Sequence, residues 1–420
     1  MHLQPITKPS NHQWAHHTLR PHLKNYAILS AVCVGITILA FIIRPHDCGG
    51  SYGPAPYYYN TDVTIWLSLA EHPMSNLKDH PHLDRPLFSY LGWVFAQPVR
   101  LIIGDKPLVT PIRAGGTISI NLAYAAGLFL ANSFLYLLFV LATYHLTAEL
   151  SRNLKTSLLA GVLAATCAFS FVWAYQPVYM MGGAVVILTF PLFLLLVDPK
   201  PTFWRNCALA LGCGILLLLK PFVIIPFIYL IWALIRRYRV PTVLISTALF
   251  FVPTLLWRVL YTLITNSAVP NFDKSTATLA NNLLGQLFTA EGLSRLINQA
   301  LSNLADFPAV LFTPNGLIVT IFAIGFFLTP RYYKRYSHYY ILACIYFPAF
   351  FALLTLSGFF SARHGGDFAP FIFPAAAIFF MDYFREGSNP KWVKYLVVGL
   401  WLLTTIFSYT YPWMCSGEFL

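Results

Sequence analysis

Residues 203–237 read FWRNCALALGCGILLLLKPFVIIPFIYLIWALIRR. The run is apolar for almost its whole length, but it is too long for one membrane helix. Crossing a hydrocarbon core about 30 Å thick takes about 20 residues. Lys220 and Pro221 stand near its middle. Proline has no N–H to give a helix and its ring clashes with the preceding turn. An ammonium in lipid is costly unless it serves a purpose. The spacing therefore predicts two helices with a turn at Lys220-Pro221. This reading decides the fold, because each added crossing reverses the side on which every later segment lies.

Further apolar runs lie on either side, at 26–43, 118–143, 155–174, 178–197, 241–264, 308–329, 338–357, 367–384 and 395–411. The first, YAILSAVCVGITILAFII, exceeds a signal-peptide core and no small-x-small cleavage site follows it, so it reads as a retained helix. The segment PLFSYLGWVFAQPVRLIIG, 86–104, is interrupted by Pro98 and Arg100. It either spans or lies in the interface. Charge arbitrates, because Lys and Arg are enriched in cytoplasmic loops. With 86–104 not spanning and 203–237 folded as a hairpin, the basic clusters gather on one side. These are Lys8, Arg20 and Lys24; Arg152 and Lys155; Lys200 and Arg205; Arg236, Arg237 and Arg239; Arg331, Lys334 and Arg335; Arg385, Lys391 and Lys394. Reversing either choice alone moves the later clusters outside. The sequence thus predicts an all-α polytopic membrane protein with about eleven transmembrane helices, within a range of about ten to twelve. Its N-terminus is cytoplasmic and its C-terminus outside. The expected divisions are a polar tail over 1–25, one transmembrane domain over 26–411 and an outer tail over 412–420, with long outer connections at 44–117 and 265–307.

Composition agrees. Of 420 residues, 57% are hydrophobic and 10% charged. A soluble domain of this length needs far more charge to keep its surface wet. Gly and Pro, at 24 and 29, are too few for a fibrous or disordered chain. The net charge of +12 comes from 27 Lys+Arg against 15 Asp+Glu. In a soluble protein it would suggest nucleic acid. Here it is a topology signal that leaves the acids concentrated outside. No P-loop or strand-linked GxGxxG occurs, which argues against a nucleotide-driven machine. The seven cysteines show no metal or redox spacing. Only Cys48 and Cys415 flank apolar runs, and these two could pair.

The first outer loop opens RPHDCGGSYGPAPYYYNTDVTIWLSLAEHPMSNLKDHPHLDRPLFSYLG, 44–92. It carries Asp47, Asp62, Glu71, Asp79 and Asp84 with four histidines. Asp62 is placed to cap a short helix with Ile65, Trp66 and Leu69 on its apolar face. Such a helix would lie at the membrane surface as part of an outer-face loop. His72 to His82 offers ligand types for Zn²⁺ or Mn²⁺. In His80-Pro81-His82, however, the two imidazoles do not share a helix face, so solvated histidines are the better reading and no cofactor is required. In the second outer connection, Leu279, Leu283, Leu287, Leu293 and Leu296 suggest amphipathic surface helices, suited to covering an acceptor groove or docking a membrane subunit.

The order of these features resembles the GT-C superfamily of membrane glycosyltransferases, in its compact form. An N-terminal span leads to an acidic outer loop. There follow Asp62-x3-Trp66-x3-Ala70, the step Arg85-Pro86-Leu87-Phe88, a Lys-bearing break in ILLLLKPFVIIPF (215–227) and the late segment SARHGGDFAPFIFPAAAIFF (361–380). One departure is that the superfamily's acidic pair early in the first loop is absent. The resemblance implies transfer of a sugar from a polyprenyl-phosphate carrier to an acceptor on the extracytoplasmic side of a membrane, here a bacterial inner membrane. It implies a carboxylate base, for which Asp62 and Asp47 are the candidates, and cations for the departing lipid phosphate, for which Lys220, Arg363 and His364 are. Tyr58, Tyr59, Asp84 and Arg85 are candidate contacts to sugar or acceptor, and a divalent metal would fall to His80 and His82. Bland readings stand beside each: Asp62 or Asp367 as helix caps, Asp47 as a turn residue, Asp84-Arg85 as a surface pair, Lys220 snorkelling to headgroups. Three other functions compete. They are a non-catalytic subunit on the same frame, an O-antigen polymerase or ligase type protein, and a transporter, for which no internal repeat is found.

Overall fold

The computed structural model describes residues 19–43, 61–73, 86–111, 117–175, 203–220, 223–237, 240–265, 289–357, 362–385 and 390–410. Asp47, Cys48, Tyr58, Tyr59, His80, His82, Asp84, Arg85 and Cys415 lie outside them, as do Leu279 to Leu287 and the apolar run 178–197.

Helix α1, Leu19–Ile43, starts seven residues before the apolar pattern does. The part of the expected tail from Leu19 onward is therefore helical. Its polar side chains have partners on α4 (Leu122–Ser151). His22 Nδ1 lies 2.8 Å from the Tyr144 hydroxyl, Asn25 Nδ2 donates to that hydroxyl, and the Tyr26 hydroxyl meets His145 Nε2 at 2.7 Å. Two further helices, α2 (Thr61–Glu71) and α3 (Leu87–Ile103), precede a small antiparallel ribbon of β1 (Pro107–Pro111) and β2 (Thr117–Asn121). Leu108 faces Ile120 in this ribbon. It is a departure from the all-helical expectation, and it falls where Thr117-Ile118-Ser119-Ile120 alternates in the manner of a strand. Asn121 then caps α4, accepting the Ala123 N–H at 2.9 Å.

The expected span 155–174 is two helices, α5 (Leu154–Thr166) and α6 (Ala168–Tyr175). Cys167 is extended, and its sulfur accepts from the Ser170 N–H. Beyond, α7 (Phe203–Leu217) and α8 (Ile224–Arg237) part at Lys220, as the sequence predicts. Helix α9, Val240–Thr265, follows. The expected span 308–329 is likewise not one helix. Helix α10 (Ala290–Asn315) and α11 (Leu317–Leu328) meet at 109° around Gly316, whose φ is +83°. The chain closes with α12 (Pro330–Arg335), α13 (Ser337–Ser357), a 3₁₀ turn over Ala362–Phe368, α14 (Ala369–Arg385) and α15 (Lys391–Thr410).

Among the described residues five helices are long and apolar enough to cross a membrane, or six if the bent α10–α11 pair counts as one span. Four shorter apolar helices accompany them. The chain is a multi-pass membrane protein, and the five or six crossings are those of the described residues alone, where about eleven are expected over the whole chain. Helix α4 is the axis of the core: Leu128, Ala131, Tyr136 and Phe139 are buried among α3, α5 and α14. Small residues set how closely α3 and α4 approach, as is usual between membrane helices. A Cβ on Gly127 would come 2.3 Å from the Gly92 carbonyl oxygen and 2.7 Å from the Ala96 nitrogen. Backbone cannot yield as a side chain can, so we expect Gly127→Ala to cost about 1–3 kcal/mol despite alanine's better helix propensity. Thermal unfolding in detergent checks this against Gly35→Ala, whose Cβ would meet nothing within 4 Å. Equal melting temperatures would refute it.

Candidate functional site

The break between α7 and α8 is built locally. Leu218 and Leu219 turn back on Ile215 and Leu216, and the Lys220 N–H still reaches the Leu216 carbonyl at 3.0 Å. The missing proline donor and the end of α7 leave carbonyls for other segments. One of them, on Leu218, accepts from the Leu87 N–H at 3.4 Å, which joins the first turn of α3 to the break.

From this break Lys220 Nζ reaches Asp367 Oδ1 at 3.5 Å, while His364 Nδ1 lies 3.1 Å from Asp367 Oδ2. The carboxylate bridges the two and is 3% exposed; the Lys220 and His364 side chains are 17% and 8% exposed. Asp367 is therefore not a helix cap. It is the hub of a buried charged cluster, a placement that the sequence reading underrated. The available signal was the general one that an ionisable group within an apolar span takes a partner.

The 3₁₀ turn that presents His364 and Asp367 is held on every side. Asn315 Nδ2, at the end of α10, donates to the Gly365 carbonyl at 3.1 Å. The Tyr346 hydroxyl donates to the Asp367 carbonyl at 3.0 Å, and that of Tyr339 to the Pro370 carbonyl at 2.7 Å. Gly366 sits so close to the Phe169 ring that there is no room for a Cβ. Phe350 sets its ring edge on His364 at 5.9 Å. Such packing locks the rotamers of a site.

The cluster gathers two of the three expected phosphate residues, Lys220 and His364. Arg363 belongs to the same turn, with its side chain outside the described set. The Lys220 charge is already matched by Asp367, so an anion at this place would depend on a protonated His364 or on Arg363 for excess positive charge.

Helix α2 carries Asp62 in its first turn rather than at the cap position, and the side chain is again outside the described set. The apolar face of α2 rests on protein instead of lipid. Trp66 is buried edge-on against Phe88, Ser89 Oγ donates to the Trp66 carbonyl, and Leu69 packs with Tyr261 and Trp257 of α9. The far end of α2 is tied by Glu71, whose Oε1 accepts the Asn121 N–H at 2.8 Å. Asn121 Nδ2 donates to Asp105 at 2.8 Å. Asp105 in turn takes a two-pronged grip from Arg100, at 2.8 and 2.7 Å. Hydrogen bonds from Arg100 and Asn121 hold the Asp105 carboxyl below the usual carboxylate range. We expect Glu71→Ala to destabilise by about 1–3 kcal/mol, because it strands a backbone donor, and Glu71→Gln to recover most of that. Melting curves of the two variants decide: equal losses would show that the acceptor is not what matters.

Among the described residues no three His, Cys, Asp or Glu side chains converge as metal ligands.

No protein-family model matches the chain, and no curated protein matches it by sequence. Solved structures match it by fold. One is the crystal structure of ArnT from Cupriavidus metallidurans bound to undecaprenyl phosphate. Its TM-score is 0.55 at 12% identity, over 88% of this chain and 62% of that one. Another is the archaeal oligosaccharyltransferase AglB from Archaeoglobus fulgidus in complex with an inhibitory peptide and a dolichol-phosphate. Its TM-score is 0.54 at 15% identity, over 96% of this chain and 56% of that one. The chain thus spans about three fifths of the length of either structure, 62% and 56%. The chain shares its fold with these two structures.

Proposed function

We propose that the chain is a membrane glycosyltransferase that moves a sugar from a polyprenyl-phosphate carrier to an acceptor on the extracytoplasmic side. The observation that carries this reading is the buried Lys220–Asp367–His364 cluster at a helix break, within a fold whose two matched structures each hold a polyprenyl-type lipid phosphate. The acceptor's nucleophile attacks the anomeric carbon, the bond to the carrier breaks, and the polyprenyl phosphate leaves with the bonding pair. A carboxylate, Asp62 or Asp47, takes the acceptor's proton. Cationic groups at the cluster, Lys220 with Arg363 and His364, offset charge on the leaving phosphate. Tyr58, Tyr59, Asp84 and Arg85 are the proposed contacts to sugar or acceptor. The basic clusters support a cytoplasmic N-terminus, in a bacterial inner membrane.

The test is release of free polyprenyl phosphate from lipid-linked sugars in proteoliposomes containing the full chain and a panel of acceptors. Release well above that of empty liposomes is the expected result, and Lys220→Met is expected to lower it. No release with any donor, together with no retention of lipid phosphate by the purified protein, would overturn the reading. A second reading is a non-catalytic subunit on the same frame. It is favoured by the pairing of Lys220 with a buried carboxylate, which a purely structural cluster would also show. Lipid-phosphate retention without turnover selects it.

A further inference from the structure

Helix α10 presents three faces to three different surroundings. At about 100° per residue, Leu296, Gln299, Asn303, Phe307 and Val310 fall in one sector of roughly 80°. This sector faces the protein. Asn303 and Val310 are each 1% exposed, Asn303 donates to Thr355 Oγ1 at 3.0 Å, and Gln299 donates to Asn303 Oδ1 at 2.8 Å. Leu293, Ile297, Leu301 and Leu304 fall in the next sector, of roughly 80°. They are 49%, 49%, 59% and 60% exposed. The remaining sector, roughly 120° wide, holds Glu291, Ser294, Asn298, Ser302 and Asp306, with Arg295 paired to Glu291 at 2.7 Å. These residues too are exposed.

Each simpler environment fails for one sector. In water, four large apolar side chains in a row would stand unsatisfied beside a polar face. In a spanning position, Glu291, Arg295 and Asp306 would face lipid. A helix lying at the boundary satisfies all three sectors at once. The bend supplies a second, independent observation. At Gly316 the chain turns through 109° into α11, where Leu317, Ile321, Ile324 and Leu328 continue the exposed apolar surface. The helix that follows the bend thus also carries an exposed apolar face.

We infer that α10 is an interfacial helix seated in the bilayer surface along its Leu293–Ile297–Leu301–Leu304 edge, and that its occupant is lipid. Its end holds the site, because Asn315 donates to the Gly365 carbonyl two residues before Asp367. Seating α10 therefore sets the depth of the Lys220–Asp367–His364 cluster relative to the membrane surface. This holds whichever side of the membrane α10 occupies and whether or not the chain is a transferase.

The test is nitroxide scanning of the full chain in phosphatidylcholine–phosphatidylglycerol proteoliposomes, with the unsubstituted chain labelled in parallel to subtract native cysteines. Labels at Leu293→Cys, Ile297→Cys and Leu301→Cys should collide several-fold more with oxygen than with a water-soluble nickel chelate. Labels at Ser294→Cys, Asn298→Cys and Ser302→Cys should show the reverse. Because six exposed positions are read separately, failure of one variant to fold leaves the pattern legible. Nickel access at both sectors, or oxygen access at both, would overturn the inference in favour of a helix in water or in the bilayer interior. Disulfide cross-linking between copies through Ile297→Cys would overturn it in favour of a self-interface.

Discussion

Asp367→Asn is expected to destabilise the folded protein by about 3–5 kcal/mol, with Asp367→Ala at least as severe. The asparagine keeps the shape and can still accept from His364, so what it removes is the negative charge that compensates Lys220. With Asp367 neutral, the largely buried ammonium loses the carboxylate that offsets its desolvation, and this disfavours the native state. Lys220→Met alone strands the opposite charge and should fall in the same range. The double variant, Asp367→Asn with Lys220→Met, removes both charges while filling the space, and it should recover most of the loss. Thermal unfolding of the four proteins in one detergent reads the cycle. Additive losses in the double variant would refute compensation, and with it the claim that the cluster is built around the pair.

This cluster marks the boundary of what the chain discloses in one dimension. The break at Lys220-Pro221 was legible because both causes, a missing donor and a charge in an apolar run, sit at the break itself. The break at Cys167 was not, since cysteine is not forbidden in a helix, whereas at Gly316 the step Pro314-Asn315-Gly316 carried a stop signal that the length of the apolar run outweighed. At Cys167 the Ser170 N–H bonds to the sulfur, and at Gly316 the backbone takes a φ of +83°. Asp367 begins an apolar run, and its neighbours alone suggest a cap. Its partner Lys220 is distant in sequence and becomes visible only when α7 and the 3₁₀ turn are brought together. The same holds at the start of α1, where His22 and Tyr26 look like tail residues until Tyr144 and His145 meet them. The short helix of the first outer loop was readable from its spacing, but its covering was not. An apolar face announces that something must cover it and is silent on whether that is lipid or, as here, α3 and α9. Overall class was legible throughout, because composition and hydrophobic run length are summed over hundreds of residues and survive such local misreadings.

Asp62→Asn should lower turnover of the lipid-linked sugar by about 10²–10⁴-fold if Asp62 is the base of the proposed reaction. The substitution is nearly isosteric, and its structural cost is bounded. A carboxylate in the first turn of a helix is worth about 0.3–1 kcal/mol through the helix dipole, so α2 should stay packed, through Trp66 and Leu69, against Phe88 and Tyr261. A residue with only that structural role would shift melting slightly and leave turnover alone. A base would do the opposite. The pH profile gives a second readout with a definite sign. A carboxylate must be deprotonated to accept the acceptor's proton, so turnover should fall as pH drops through its pKa, and this acid limb should vanish in Asp62→Asn. Retention of lipid phosphate should survive, because Lys220, Arg363 and His364 remain. Asp47→Asn runs in parallel as the competing assignment. If Asp47 carries the reaction, the loss and the missing acid limb move to that variant. If both variants turn over at the parental rate, neither carboxylate is the base, and the non-catalytic reading of the same fold gains the ground they lose.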